Sequence, residues 1–438
     1  MPAPSPSFAR LWGVIRDNRA FRRLYSATAI SQMGDWFNTV ALYSLLLELS
    51  GKGEAVAFVL LTRLIPGFVI GPAAGVLADR ISRRAIMVTS DLLRAGLVLC
   101  LLFVRRPDQV WIAYVIMTAH SVVSWFFEPA QAAMFPGLVP PEELVLASTL
   151  ENSLWSVTLA CGSALGGIVL ALVGRDAAFV CDALSFVGSA WLIRGLPRGT
   201  PRARDRDLAQ TRDLAQEERN LPDGGLANLL GLRDLREGIR YVSTDRRVRA
   251  LLLVKASFGL TLGGVIVLLA FFGEKVFGHA NGVGIAVLWT ARGVGSFAGP
   301  LVAFRIVGHD NASLRRGISW GFGLLAVCYC AFAAAPGIAL AAVALAVANA
   351  GGSMLWTYGS ALLQQIVPDE IRGRVYAADL AGMTLTMSSS TLATGMLLDR
   401  GVGPRVLMAA CGLVALGPIL FWRSQQGAFL STGSAAEG

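Results

Sequence analysis

Twelve runs of mostly apolar residues, each about 20 long, follow one another along this chain, and few folds accept such a pattern. Runs of that length mark membrane crossings. They fall at roughly 23–47, 55–78, 85–104, 109–131, 148–173, 176–194, 250–273, 282–305, 317–335, 337–362, 376–398 and 403–422, and are numbered spans 1 to 12 below. Twelve crossings take about 240 residues, a little over half of the 438 available. The mean hydropathy is +0.58 and 15% of residues are charged, where a soluble protein carries roughly 25%. The expectation is an all-α polytopic membrane protein of 12 transmembrane helices. A disordered chain, a disulfide scaffold and an ordinary soluble globule are excluded.

The net charge of +9 is explained by where the charges sit. With the N-terminus in the cytoplasm, 27 arginines fall in segments on that side, against seven basic residues outside: Lys52, Arg105, Arg106, Arg175, Lys275, Arg400 and Arg405. That asymmetry is the positive-inside pattern. It predicts a multi-pass protein of the cell (inner) membrane with both termini cytoplasmic, and it removes the need for a nucleic-acid partner. Phe8 to Arg23 is basic and interrupted, so no cleavable signal peptide is expected and span 1 serves as an uncleaved anchor. All six cysteines lie in apolar runs without CxxC spacing and read as small core residues; no metal site is expected.

A polar segment, 197–249, divides the chain. It mixes 12 Arg with nine acids and ends in an amphipathic helix carrying Leu232, Leu235, Ile239 and Val242 on one face, the pattern of an interfacial segment. A shift of 228 residues lays Gly71-Pro72 on Gly299-Pro300, Val139-Pro140-Pro141-Glu142 on Val367-Pro368-Asp369-Glu370, and Glu151 on Asp379. Two halves with an even number of spans are parallel repeats, as in transporters. The expected organisation is an N-terminal cytoplasmic segment (1–22), a six-helix bundle (23–196), the linker (197–249), a second six-helix bundle (250–423) and a cytoplasmic tail (424–438).

The loop after span 2, Gly75-Val76-Leu77-Ala78-Asp79-Arg80-Ile81-Ser82-Arg83-Arg84, resembles the Gly-x-Leu-Ala-Asp-Arg-x-Gly-Arg-Arg loop of the major facilitator superfamily. Within that superfamily the chain is most similar to the drug:proton antiporter branch of macrolide-efflux and enterobactin-exporter-like proteins. Ser31-Gln32-Met33-Gly34-Asp35, Pro129-Ala130 through Pro136, Asp182-Ala183-Leu184-Ser185-Phe186 and Val367 to Arg374 carry that likeness. The physics of the loop stands beside it. Gly75 permits close helix approach, and Asp79 with Arg80, Arg83 and Arg84 forms an ionic cluster that one conformation holds and another breaks. The resemblance implies a cytoplasmic latch, with Asp79 near the start of span 11, where a helix N-terminus favours an anion. Ser82 departs from the motif's second glycine, span 4 has no arginine, and the span 5 stretch Gly162 to Gly167 lacks the antiporter proline.

Charges inside a bilayer cost about 2.5–3.5 kcal/mol each on insertion scales, which makes them candidates for function. Asp35 lies roughly 20 Å from the cytoplasmic end of span 1 at 1.5 Å per residue, on a face shared with Gln32 and Thr39, beside Trp36. Arg63 reaches about the same depth on span 2, close enough for an ion pair that keeps Asp35 deprotonated until broken. Span 4 carries the stripe His120, Ser124, Glu128 and Gln131, and span 10 carries Asn349, Ser353, Trp356, Thr357 and Ser360. The resemblance implies that spans 1, 4, 7 and 10 line a central cavity. Asp35 and Glu128 are the proton-coupling candidates; Gln32, Asp35, Trp36, Thr39, Arg63, His120, Ser124, Asn349, Ser353 and Trp356 are the cavity candidates, with Trp125, Trp155 and Tyr358 as further aromatics. Asp91 and Arg94 should pair locally in span 3, while Glu151 and Asp379 read as gating residues; Arg292 could meet substrate or an acid.

The chain has three lysines and no Gly-x-x-x-x-Gly-Lys-Ser/Thr loop, so a nucleotide-driven pump is not encoded. A proton gradient is the expected energy source, with no cofactor. The expected function is proton-coupled efflux of an amphipathic small molecule, a drug, antibiotic or siderophore-like compound, by a monomer in the lipid bilayer; the alternative is proton-coupled uptake of a small polar nutrient. An enzyme is not expected, since no catalytic constellation is visible.

Overall fold

The computed structural model describes residues 8–62, 66, 82–196, 232–279, 281–308, 310–426 and 429, and among them all regular structure is helical. Span 1 is the 32-residue helix Arg19–Ser50, longer at both ends than its apolar run. Asn18 caps its start by accepting from the Phe21 N–H at 2.9 Å, and Gly51, at φ 67°, ends it in the left-handed conformation. A short helix, Phe8–Asp17, precedes it. Span 2 begins with Gly53–Thr62; its remainder lies outside the described residues. Spans 3 to 6 are Arg83–Cys100, Val110–Met134, Leu144–Leu172 and Arg175–Arg194. Spans 7 to 11 are Arg246–Phe271, Val283–Ile306, Asn311–Ala334, Ile338–Ile366 and Asp369–Asp399. Span 12 is split into Pro404–Val414 and Leu416–Gln425. Pro418 accounts for the break, because its ring meets the carbonyl four residues back, that of Val414.

Nine of the described helices are long and apolar enough to cross a membrane. Spans 1 and 11 have the length, 32 and 31 residues, but carry many polar side chains. In span 11 those side chains bind helices together. Thr386 donates to the Ala256 carbonyl at 2.7 Å and Thr391 to the Gly263 carbonyl at 3.1 Å, both on span 7. Glycine makes this crossing close: a Cβ on Gly263 would lie 2.2 Å from the Met387 carbonyl oxygen. Small residues and hydroxyl bridges are how helices associate where the solvent is itself apolar.

The internal repeat is visible in the packing. Span 1 packs on spans 5 and 6, and span 3 on spans 4 and 6; six spans later, span 7 packs on 11 and 12, and span 9 on 10 and 12. The Val-Pro pairs at 139–140 and 367–368 lead into spans 5 and 11, with both valines buried. The linker helix Leu232–Thr244 docks on span 11, where Gly238 lies against the Arg374 backbone, while Ile239 is exposed.

Among the described residues, the apolar contacts between the halves gather at the face away from the chain termini. One apolar cluster joins the ends of spans 1, 2 and 5 farthest from the chain termini to the second half (Leu45, Val56, Leu170, Leu268, Ile285). A separate cluster holds the first half together at the terminal face (Phe21, Leu24, Met87, Phe135, Ile193). Toward the far face, span 5 meets span 8 so tightly that a Cβ on Gly167 would stand 2.2 Å from the Ala286 Cβ. Beside this seam, the Asp399 carboxylate at the end of span 11 accepts the Gly53 and Glu54 N–H groups at 2.8 and 3.0 Å, capping span 2 from across the halves. Asp399→Ala should weaken this contact by about 1–2 kcal/mol. A cysteine at Ser44, buried on the same rim, should then react several-fold faster with a thiol reagent, and an unchanged rate would refute the prediction.

Candidate functional site: a cleft in the first half

A cleft of about 380 Å³ opens at the terminal face of the first half, lined by Gln32 of span 1, Glu128, Gln131 and Ala132 of span 4, Phe135, and Ser148 and Glu151 of span 5. These positions recur at three- and four-residue steps, so each helix turns one polar stripe to the cleft. Gln131 Nε2 donates to Thr28 Oγ1 at 3.0 Å and to Glu151 Oε1 at 3.3 Å, and Thr158 donates to Gln32 Oε1 at 3.0 Å. Glu151, expected at a gate, therefore shares the cleft wall with Glu128.

Deeper in, Asp35 Oδ1 stands 4.0 Å from His120 Nε2, with Asp35 36% exposed and His120 8%. Gly34 beside it lets span 1 press on span 6, where a Cβ would lie 2.5 Å from Asp182 Oδ1. The expected Asp91–Arg94 pair is present, and the Arg94 guanidinium is held between Phe127 and Phe186 at 4.4 Å from each ring centroid. Spans 1, 3 and 4 thus supply Asp35, the Asp91–Arg94 ion pair and His120, and Glu128 follows on the cleft wall one residue past Phe127, which stacks on Arg94.

Above the cleft, Trp36 meets Trp155 of span 5 at 6.2 Å and Trp289 of span 8 at 5.4 Å, and Tyr43 meets Trp289 at 6.1 Å. This aromatic roof joins the two halves, and Arg292 stacks on it 4.8 Å from Trp289 and 5.8 Å from Trp155. Sequence reasoning named Trp36, Trp155 and Arg292 but missed Trp289. One turn from Arg292, it offered a local signal.

The other expected residues are not among those lining this cleft. Thr39 is buried and donates back to the Asp35 carbonyl at 2.7 Å, and Ser124 donates to the His120 carbonyl at 2.9 Å. Asn349 is buried and donates to the Leu345 carbonyl at 2.9 Å. Tyr358 is a core residue whose hydroxyl donates to the Gly308 carbonyl at 2.8 Å. Ser353 is half-buried on span 10. Trp356 meets Lys255 of span 7, whose Nζ lies 4.3 Å from its ring centroid and pairs with Asp379 of span 11. That buried pair was not foreseen, and it ties Asp379 inside the second half. Arg63, Gly75, Asp79 and Arg80 lie outside the described residues, and with them the Asp35–Arg63 pair and the acid of the latch. Arg83 and Arg84 donate to carbonyls at the ends of spans 4 and 6, Ala133 at 2.8 Å and Leu196 at 2.9 Å, where a cation complements the helix dipole.

Comparison with known proteins agrees with this architecture. The chain is 28% identical over 255 residues to the uncharacterized MFS-type transporter YkuC of Bacillus subtilis, covering 58% of this chain and 56% of that one. It is 28% identical over 169 residues to macrolide efflux protein A of Streptococcus pyogenes, covering 38% and 42%, so the match spans about half the length of each of these two relatives. Similarity to the putative bacilysin exporter BacE of Bacillus subtilis is 23% over 360 residues and covers 81% and 83%. Among solved structures, a bacterial homologue of the iron transporter ferroportin in its inward-facing state superposes with a TM-score of 0.66 at 15% identity, over 96% of this chain and 99% of that one. The model of the Major Facilitator Superfamily matches residues 24–378, and with twelve spans packed as two repeats, the chain belongs to that superfamily of membrane transporters.

Proposed function

We propose that this transporter exports an amphipathic small molecule against a proton gradient by alternating access, with its terminal face in the cytoplasm. The carrying observation is the cleft: polar and acidic walls open at the terminal face, closed above by tryptophans from both halves. The excess of arginine in terminal-face segments supports the orientation, which makes the described arrangement inward-facing. Relatives named as a macrolide efflux protein and a putative bacilysin exporter support efflux.

In this reading a substrate enters from the cytoplasm and lays its apolar body against Trp36 and Trp155. Asp35 and Glu128 exchange protons with the cleft, and His120, 4.0 Å from Asp35, stabilises the ionised carboxylate when it carries a proton itself. Protonation removes charge from the first half and lowers the cost of closing the cleft around it. The halves then rock, opening the seam of spans 5 and 8 and of spans 2 and 11. Everted vesicles charged with a compound panel test the reading. Accumulation of one or more compounds that an uncoupler abolishes is expected; accumulation only in right-side-out vesicles would mean uptake and overturn it.

A further inference from the structure

Arg292 is 7% exposed, and its Nε is buried with no hydrogen-bond partner among the described residues. No described carboxylate pairs with it, and Trp289 and Trp155 stack on it. One turn away, the indole N–H of Trp289, a residue 3% exposed, also has no acceptor. Arg292 lies nine residues into span 8, so it stands about 14 Å below the far end of that helix. A buried guanidinium offers five donors in a fixed fork that matches a carboxylate, and a native protein rarely leaves such a group unsatisfied. Helix packing alone does not call for an arginine here, since an apolar side chain would fill the space without the desolvation cost.

The placement supplies the missing partner. Ser148, Glu151 and Trp155 lie on one face of span 5, and Gln32 and Trp36 on one face of span 1. The cleft wall therefore runs upward from Gln32 and Glu151 to the two tryptophans, and Arg292 lies 5.8 Å from the Trp155 ring. We propose that Arg292 and the Trp289 N–H form an anion subsite at the head of the cleft, so that the transported molecule carries a carboxylate or similar anionic group at one end of an apolar body. The inference rests on the reading of the cleft as the substrate path. The subsite straddles both halves through Trp155 and Trp289, which lets an anion bound there bias their closure.

Purified full-length protein in detergent, titrated with dansylglycine, its methyl ester and dansylcadaverine and read by energy transfer from tryptophan, tests the proposal. Dansylglycine is expected to bind at least about tenfold tighter than the ester, the scale of hydrogen bonds to a charged group. Arg292→Gln should erase that preference, lowering the affinity for dansylglycine more than that for the ester. Trp289→Phe, which keeps a ring and loses the donor, should reduce it about threefold. If Arg292→Gln does not give a monodisperse protein, Arg292→Lys keeps the charge and should retain a reduced preference. Equal binding of acid and ester, or a preference that survives Arg292→Gln, overturns the subsite and leaves the cleft standing. Failure of all three probes to bind the unmodified protein overturns both. The titration needs neither gradient nor direction, so a failed export assay leaves its result readable.

Discussion

Asp35→Asn should collapse gradient-driven accumulation while leaving the protein able to equilibrate substrate across the membrane. A proton moving through 100 mV is worth about 2.3 kcal/mol, which sustains an accumulation ratio of several tens. An amide in place of the carboxylate cannot carry that proton, so the ratio should fall to about one in vesicles. The side chain stays polar and similar in size, and its contacts with the cleft should survive. Asp35 is the choice because its side chain is 36% exposed and 4.0 Å from His120, whereas Asp91 is fully buried and already paired with Arg94. Substrate-driven proton flux, read with a pH-sensitive dye in proteoliposomes, should vanish in the variant. Counterflow of labelled substrate should persist within a few-fold. Full accumulation by Asp35→Asn with an unchanged pH dependence would remove Asp35 from the coupling.

Much of the fold is legible in one dimension. Crossing length, arginine distribution and the 228-residue offset are each one-dimensional signals, and the spans they mark coincide with helices that end at caps such as Asn18 and Gly51. The site is less legible, because a helical stripe says which residues share a face but not what that face meets. On span 10, Trp356 and Tyr358 are two residues apart, about 200° around the helix; the first meets Lys255 and the second enters the core under Gly308. Thr39 shares the face of Asp35, yet its hydroxyl is spent on that residue's own carbonyl. The roof eluded sequence reading for another reason: Trp36, Trp155 and Trp289 meet only because glycines let spans 5 and 8 touch, and that approach belongs to the seam between halves.

The Lys255–Asp379 pair was readable by counting depth, since Lys255 lies nine residues from the start of span 7 and Asp379 ten from the start of span 11. Both side chains are almost wholly buried, at 1% and 4% exposure, so removing one partner strands a charge in an apolar interior. Lys255→Met and Asp379→Leu should each cost about 3–5 kcal/mol, whereas the two replacements together should recover most of that loss or all of it. Thermal unfolding in detergent gives the comparison: two large drops in Tm for the single variants and a small change for the double. Additive drops would show that each residue acts without the other. The pair joins spans 7 and 11 of the same half and does not cross the seam, so rocking of the halves leaves it intact. The double variant should therefore keep transport within a few-fold of the unmodified protein, as expected of a pair that stiffens the second half; a loss of transport with Tm retained would place the pair in the transport cycle instead.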